Sequence, residues 1–157
     1  MVLRTRTKPN HREPETGSLR NVDPQEALDF IRSNHRAVLS TTRSDGGTQL
    51  SPVVVGVGDN GEVVVSTRET ALKTKNLRAR PRATLVAFTD SFFGRWVQVE
   101  GAVQIDSLPE AMDGLVAYYR QLAGEHSNWD EYRQAMTTER RVLLRIAVER
   151  AGPDISG

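Results

Sequence analysis

The stretch "RAVLSTTRSDGGTQLSPVVVGVGDNGEVVVST" (Arg36–Thr67) decides the fold. It holds three runs rich in Val, Ser and Thr, separated by two short polar turns. "RAVLSTT" (Arg36–Thr42), "TQLSPVVVGVG" (Thr48–Gly58) and "EVVVST" (Glu62–Thr67) read as strands. Between them, "RSDGG" puts Asp-Gly at a hairpin centre and "DNG" makes a second tight turn. Such turns join antiparallel neighbours. Pro52 cannot donate to a sheet ladder, so the second strand should lie at an edge or carry a bulge there.

Upstream, Asp23-Pro24 is a helix start, with Asp as cap and Pro at the first position. Ala27, Leu28, Phe30 and Ile31 then form an apolar face. Downstream, Thr70 can cap a helix over Ala71–Ala79 that stops near Pro81. "RATLVAFT" is a fourth strand. "RWVQVEGAVQI" is a long fifth strand in strict alternation, with Trp96, Gln98, Glu100 and Ala102 on one side and Val97, Val99, Gly101 and Val103 on the other. "PEAMDGLVAYYRQLAG" is an amphipathic helix, and "SNWDEYRQAM" is a second one opened by a Ser/Asn cap. "RRVLLRIAVERA" is a sixth strand. Short strands with tight turns and late helices predict a mainly β fold, a small barrel with flanking helices.

The chain has 157 residues, 38% apolar and 26% charged, which suits one domain with a full core. A net charge of +1 argues against bulk attraction to nucleic acid or an anionic membrane, so any anion site must be local. With no cysteine, disulfides, thiolate metal sites and cysteine nucleophiles are excluded. His11, His35 and His126 lie far apart, without the spacing of a zinc-protease helix. No apolar run nears the ~20 residues that cross a bilayer, and the start lacks a signal peptide's apolar region. No membrane insertion and a cytoplasmic location are expected. Residues 1–22 read as a basic tail, mobile or laid across a partner subunit. Residues 23–150 form the folded domain and 151–157 a C-terminal tail.

Catalytic motifs are scarce. No Gly-x-Ser-x-Gly elbow and no phosphate-binding loop occur, and Gly56-Val57-Gly58 runs into a hairpin rather than a helix. Glu125-His126 reads as a polar link between two helices, and Tyr118-Tyr119 as core plus rim. "STRETALKTKNL" (Ser66–Leu77) is the exception. Ser66 and Thr67 end a strand with hydroxyls. The free N–H groups of the next helix make a partial positive site. Lys73 falls in its first turn, where the dipole disfavours a cation unless an anion sits nearby. Two readings stay open on these residues alone, a phosphate-binding turn and a plain surface helix.

The motifs "VLSTTRSDGGTQLSPV", "LKTKNLRARPRATL", "WVQVEGAVQI" and "YYRQLAGEHSNWDEYRQAMTTERRVLL" together resemble the split β-barrel flavin and deazaflavin oxidoreductases related to pyridoxamine 5′-phosphate oxidase. Over roughly Asp23–Glu149 the chain looks most like the actinobacterial branch that uses coenzyme F-420. The resemblance implies a six-stranded antiparallel split barrel and a homodimer with its cofactor at the subunit interface. It implies that Ser51, Pro52, Val53, Val54 and Val55 line the cofactor, and that Ser66 and Thr67 end the next cofactor strand. Leu72 and Lys73 match the phosphate turn, with Lys75 as a second cation. Trp96 matches a position that reaches the ring from the other subunit. Arg78, Arg80, Arg140 and Arg141 are candidates for the carboxylates of the F-420 oligoglutamate tail. FMN is the alternative cofactor, but FMN relatives often carry an arginine where this chain has Ser51. The ending "ERAGPDISG" lacks the Arg-Leu-x-Pro close of pyridoxamine phosphate oxidases. The implied activity is hydride transfer from reduced F-420 to an activated double bond, quinone or similar small acceptor, with no dedicated catalytic side chain. Alternatives are an FMN-dependent enzyme and a non-catalytic carrier.

Overall fold

The computed structural model describes residues 21–154. Helix α1 (Pro24–Ser33) begins at the expected signal: the Asp23 carboxylate accepts from the Gln25 amide, and Pro24 takes the first turn. Ala27, Leu28 and Ile31 turn inward as the sequence period requires.

The strands are β1 (Arg36–Thr42), β2 (Thr48–Val54), β3 (Gly56–Val57), β4 (Val63–Arg68), β5 (Arg82–Phe88), β6 (Trp96–Asp106), β7 (Arg141–Ile146) and β8 (Arg150–Ala151). Helix α2 (Leu72–Ala79) follows β4, and α3 (Met112–Ala123) and α4 (Trp129–Thr138) sit between β6 and β7. The sheet order is β2-β1-β5-β6-β7-β4-β3, with β8 paired to β6, and every pair is antiparallel. The two ends of that order, β2 and β3, are halves of one stretch of chain. The sheet therefore curls round on itself and meets at Val55.

Eight strands are present among the described residues, not the six expected. The expected second strand breaks at Val55, where His35 takes both backbone groups: its carbonyl accepts from the Val55 amide at 2.8 Å, and its Nδ1 meets the Val55 carbonyl at 2.9 Å. The expected sixth strand stops at Ile146, and its remainder crosses to β6 as β8. Pro52 sits in β2, at the end of the sheet path.

The barrel interior holds Leu39, Val63, Val65, Leu85, Val99, Leu144 and Ile146, all essentially inaccessible. Each such side chain contributes about 1.5–3 kcal/mol on burial. A second cluster lies outside the wall, where Leu115 and Val116 of α3 and Tyr132 of α4 pack on Val64 and Leu143. β4 and β7 are thus buried on both faces, which accounts for the unbroken valines of "EVVVS". Among the described residues the outer face of β1, β2 and β5 has no such cover, and Leu50 and Val54 are 64% and 49% exposed.

β6 serves both halves of the sheet, pairing with β5 through Ala102 and with β7 from Val103. At that change Gly101 is obligatory, since a Cβ there would land on the Ala147 carbonyl oxygen. Pairing reaches beyond the expected boundaries at both ends. The Val22 amide donates to Ala151 at 3.0 Å and the Gly152 amide to Gln98 at 2.8 Å. Residues 1–20 of the expected N-terminal tail and 155–157 of the C-terminal one lie outside the described residues. No helix among the described residues is long and apolar enough to cross a membrane.

Candidate functional site

The lysine-bearing turn is built differently from the sequence expectation. α2 starts at Leu72, its cap position is Ala71 without a side-chain bond, and Thr70 is exposed. The reason is that the chain turns early. Both the Ala71 amide (3.1 Å) and the Thr74 hydroxyl (2.7 Å) donate to the Arg68 carbonyl at the end of β4. This bond fastens the first helical turn, and Lys73 within it, to the strand end.

Beneath α2 runs a buried polar chain. Asn76 Nδ2 donates to Thr41 Oγ1 (3.1 Å), Thr41 Oγ1 to Gln49 Oε1 (3.1 Å), and Gln49 Nε2 to Ser51 Oγ (2.5 Å). Thr41, Asn76 and Ser51 are nearly inaccessible, so each polar group needs the next. The chain fixes α2 across β1 and β2.

A hollow of about 890 Å³ opens beside this turn. That is within the usual range for small-molecule sites, roughly 300–1,000 Å³. β2 contributes Pro52, Val53 and Val54, β4 contributes Ser66 and Thr67, and Lys73, Arg141 and Arg36 supply cations, Arg36 being paired with Asp90 at 3.2 Å. Tyr118 and Tyr119 of α3, with Tyr132 and Met136 of α4, make an aromatic wall, and Val38 and Phe88 add apolar surface. Two smaller hollows adjoin. One holds Thr67, Arg68, Thr70, Lys73 and Arg141. The other holds Glu69, Arg78, Thr137, Arg140 and Arg141. Arg141 is common to all three.

Lys73 is half-buried, and burial first, then the neighbouring Arg141 charge, push its ammonium below the ordinary 10.5. No carboxylate forms a salt bridge with it among the described residues. The other cations are partly spent. Arg141 Nη2 meets Glu139 at 2.7 Å, Arg68 reaches the same carboxylate at 3.6 Å, and Arg78 holds Glu69 at 2.6 Å. Arg140 carries a φ of 53°, a left-handed conformation uncommon for a side-chain-bearing residue.

The tyrosines differ in their commitments. Tyr118 donates to the Val54 carbonyl at 2.8 Å, and burial raises its pKa. Tyr132 donates to the Leu115 carbonyl at 2.8 Å, and burial pushes its phenol up to about 12. Tyr119 stacks with Tyr132, His126 and Trp129 at ring separations of 5.0, 5.1 and 5.8 Å. Glu125 and His126 occupy the link between α3 and α4, as expected. Glu125 holds Arg120 and the Trp129 indole, and His126 Nδ1 accepts from the Asn128 amide.

Of the residues expected at the site, the structure gathers Pro52, Val53, Val54, Ser66, Thr67, Lys73 and Arg141 around the main hollow. Others stand apart. Ser51 belongs to the buried chain under α2. Val55 is in the core, its backbone taken by His35. Leu72 and Lys75 are exposed at the surface of α2. Arg140 lines only the neighbouring hollow, and Trp96 pairs with Phe88 without lining the hollow. Sequence reasoning missed the tyrosine wall and Met136. From sequence the Tyr118-Tyr119 pair reads as core plus rim, and both line the hollow. Among the described residues no group of three or more metal-ligating side chains is present.

The main hollow thus combines apolar and aromatic walls with the cations Arg36, Lys73 and Arg141. Residues 23–153 match the family described as pyridoxamine 5′-phosphate oxidase, and the chain belongs to that family. Among solved structures it is similar to a conserved hypothetical protein from Mycobacterium tuberculosis, with 27% identity and a TM-score of 0.68 over 83% of this chain and 82% of that one. It also resembles an F-420 reductase (17% identity, TM-score 0.58, 82% of this chain and 95% of that one). A heme binding protein from Mycobacterium smegmatis is 18% identical with a TM-score of 0.63, over 89% of this chain and 56% of that one. The latter two likenesses concern the fold.

Proposed function

We propose that this protein is an oxidoreductase that takes reduced coenzyme F-420 and delivers its hydride to a small organic acceptor. The observation that carries this reading is the meeting of three hollows at Arg141. F-420 has a flat ring, a phosphate and then a tail of carboxylates. The apolar hollow suits the ring, the Lys73–Arg141 cleft suits the phosphate, and the hollow with Arg140 suits tail carboxylates. FMN ends at its phosphate and would leave the last cations unused.

The residues fit such a group. Lys73 is desolvated beside a second cation, a costly arrangement that an anion relieves. Lys73 and Arg141 would hold the phosphate by charge-assisted hydrogen bonds, with Ser66 and Thr67 as hydroxyl partners. The edge strand β2 would present backbone groups to the ring, and Trp96 would cover it from a second subunit. Ser51 acts through Gln49 on the placement of α2 rather than on the phosphate.

When bound, reduced F-420 supplies the hydride, and a proton from solvent completes the reduction. The chain's own contribution is to bind and to orient. Tyr118 and Tyr132 have committed hydroxyls and shape the wall. The uncovered apolar face of β1, β2 and β5 supports a homodimer.

A single-turnover experiment tests this reading. The protein is mixed with reduced F-420 and menadione, and deazaflavin absorbance is followed. Oxidation of F-420 faster than in the protein-free mixture is expected. A rate equal to the protein-free one, with F-420 bound, would favour a carrier instead.

A further inference from the structure

We infer that Tyr119 is a specificity residue that selects flat acceptors bearing a carbonyl group, by donating its phenolic hydrogen to that oxygen. The inference rests on the reading of the hollow as an oxidoreductase site, and it names the acceptor class. Three phenols face this hollow. Two are spent on backbone carbonyls, Tyr118 on Val54 and Tyr132 on Leu115. The Tyr119 hydroxyl has no hydrogen-bond partner among the described residues. It is the one tyrosine of the wall free to donate.

Its ring is held even though its hydroxyl is free. Tyr132, His126 and Trp129 pack on it at 5.0, 5.1 and 5.8 Å. Trp129 is itself fixed by Glu125, at 3.1 Å from the indole nitrogen, and by the Arg120 guanidinium 4.7 Å from its ring. A phenol donor with a restrained ring is preorganised, so little entropy is lost when it meets an acceptor oxygen. The surfaces beside it, from Val53, Val54, Phe88, Tyr132 and Met136, are apolar or aromatic. They favour a planar hydrophobic ligand. An uncommitted donor beside apolar surfaces favours ligands that carry an acceptor over those that do not.

The test compares two ligands of similar shape, menadione and methylnaphthalene, which differ in carbonyl oxygens. Each is titrated into the full chain without cofactor, with tryptophan fluorescence as the signal, since Trp129 lies against Tyr119. The wild type should bind menadione more tightly. Tyr119→Phe should weaken menadione on the order of five-fold, the size of one neutral hydrogen bond, and leave methylnaphthalene unchanged. The methylnaphthalene arm also reports that the variant's wall is intact, and circular dichroism checks its fold. Equal losses for both ligands, no loss for either, or no binding of menadione by the wild type would overturn the inference. Each of these outcomes leaves the F-420 reading to its own titration, because no cofactor is present.

Discussion

Replacing Lys73 with methionine keeps the aliphatic stem and removes only the charge. In the free protein this charge is a burden. It lies in the first turn of α2, where no acidic residue offsets the helix dipole, and it is half-buried beside Arg141. The dipole effect alone amounts to about 0.3–1 kcal/mol, so the variant's melting temperature should rise by roughly 1–4 °C. With F-420 the sign reverses. A lost charge-assisted hydrogen bond costs about 1.5–3 kcal/mol, which is about 10- to 150-fold in Kd. Because the folded pKa of Lys73 lies below 10.5, the folded chain holds fewer protons than the unfolded one between those two values. Wild-type stability should therefore gain from this group as pH rises through that window, and the gain should vanish in the variant. Wild-type affinity for F-420 should fall over the same rise, and added salt should weaken the wild type more than the variant. Calorimetry of the free proteins and fluorescence titration with F-420 measure both sides. Unchanged affinity together with a lower melting temperature would show that Lys73 is structural, and the reasoning would fail.

Gly101→Val should lower stability by about 3 kcal/mol or more, read from urea denaturation, because the new side chain meets Ala147 backbone that cannot move aside. Arg140→Gly should raise the stability of the free protein by about 1 kcal/mol by relieving the left-handed backbone. The same change should weaken F-420 while leaving the form without a glutamate tail unaffected, which paired titrations would detect. Sedimentation should show the wild type as a dimer at micromolar concentration and Leu50→Glu as a folded monomer, since Leu50 is 64% exposed on the uncovered face of β2.

The local signals in the sequence carried much of the fold. β1 occupies Arg36–Thr42 as read, and α1 starts at Asp23-Pro24, because turns and caps act over a few residues. The break at Val55 was not legible: it is made by His35, twenty positions upstream, which no strand period encodes. The helix start at Leu72 instead of Ala71 has a similar origin: the Ala71 amide and the Thr74 hydroxyl both donate to the Arg68 carbonyl at the strand end, a contact that no cap signal encodes. At the site, Lys73 stood out because a first-turn lysine breaks a local rule. Ser51 breaks no local rule. Its place in the buried chain under α2 was not legible, because that chain joins Ser51 and Gln49 to Thr41 and to Asn76, 35 positions beyond Thr41. The tyrosine wall depends on how α3 and α4 pack outside β4 and β7. Amphipathic period shows that a helix has a face, but not which cavity lies against it.

The most direct measurement of the central claim is a paired equilibrium titration of the purified full chain with F-420 and with FMN, followed by fluorescence. The account predicts tighter binding of F-420, with a margin that narrows when its glutamate tail is removed or when Arg140 and Arg141 are neutralised. Tighter binding of FMN, or a protein that purifies already yellow with flavin, would contradict it.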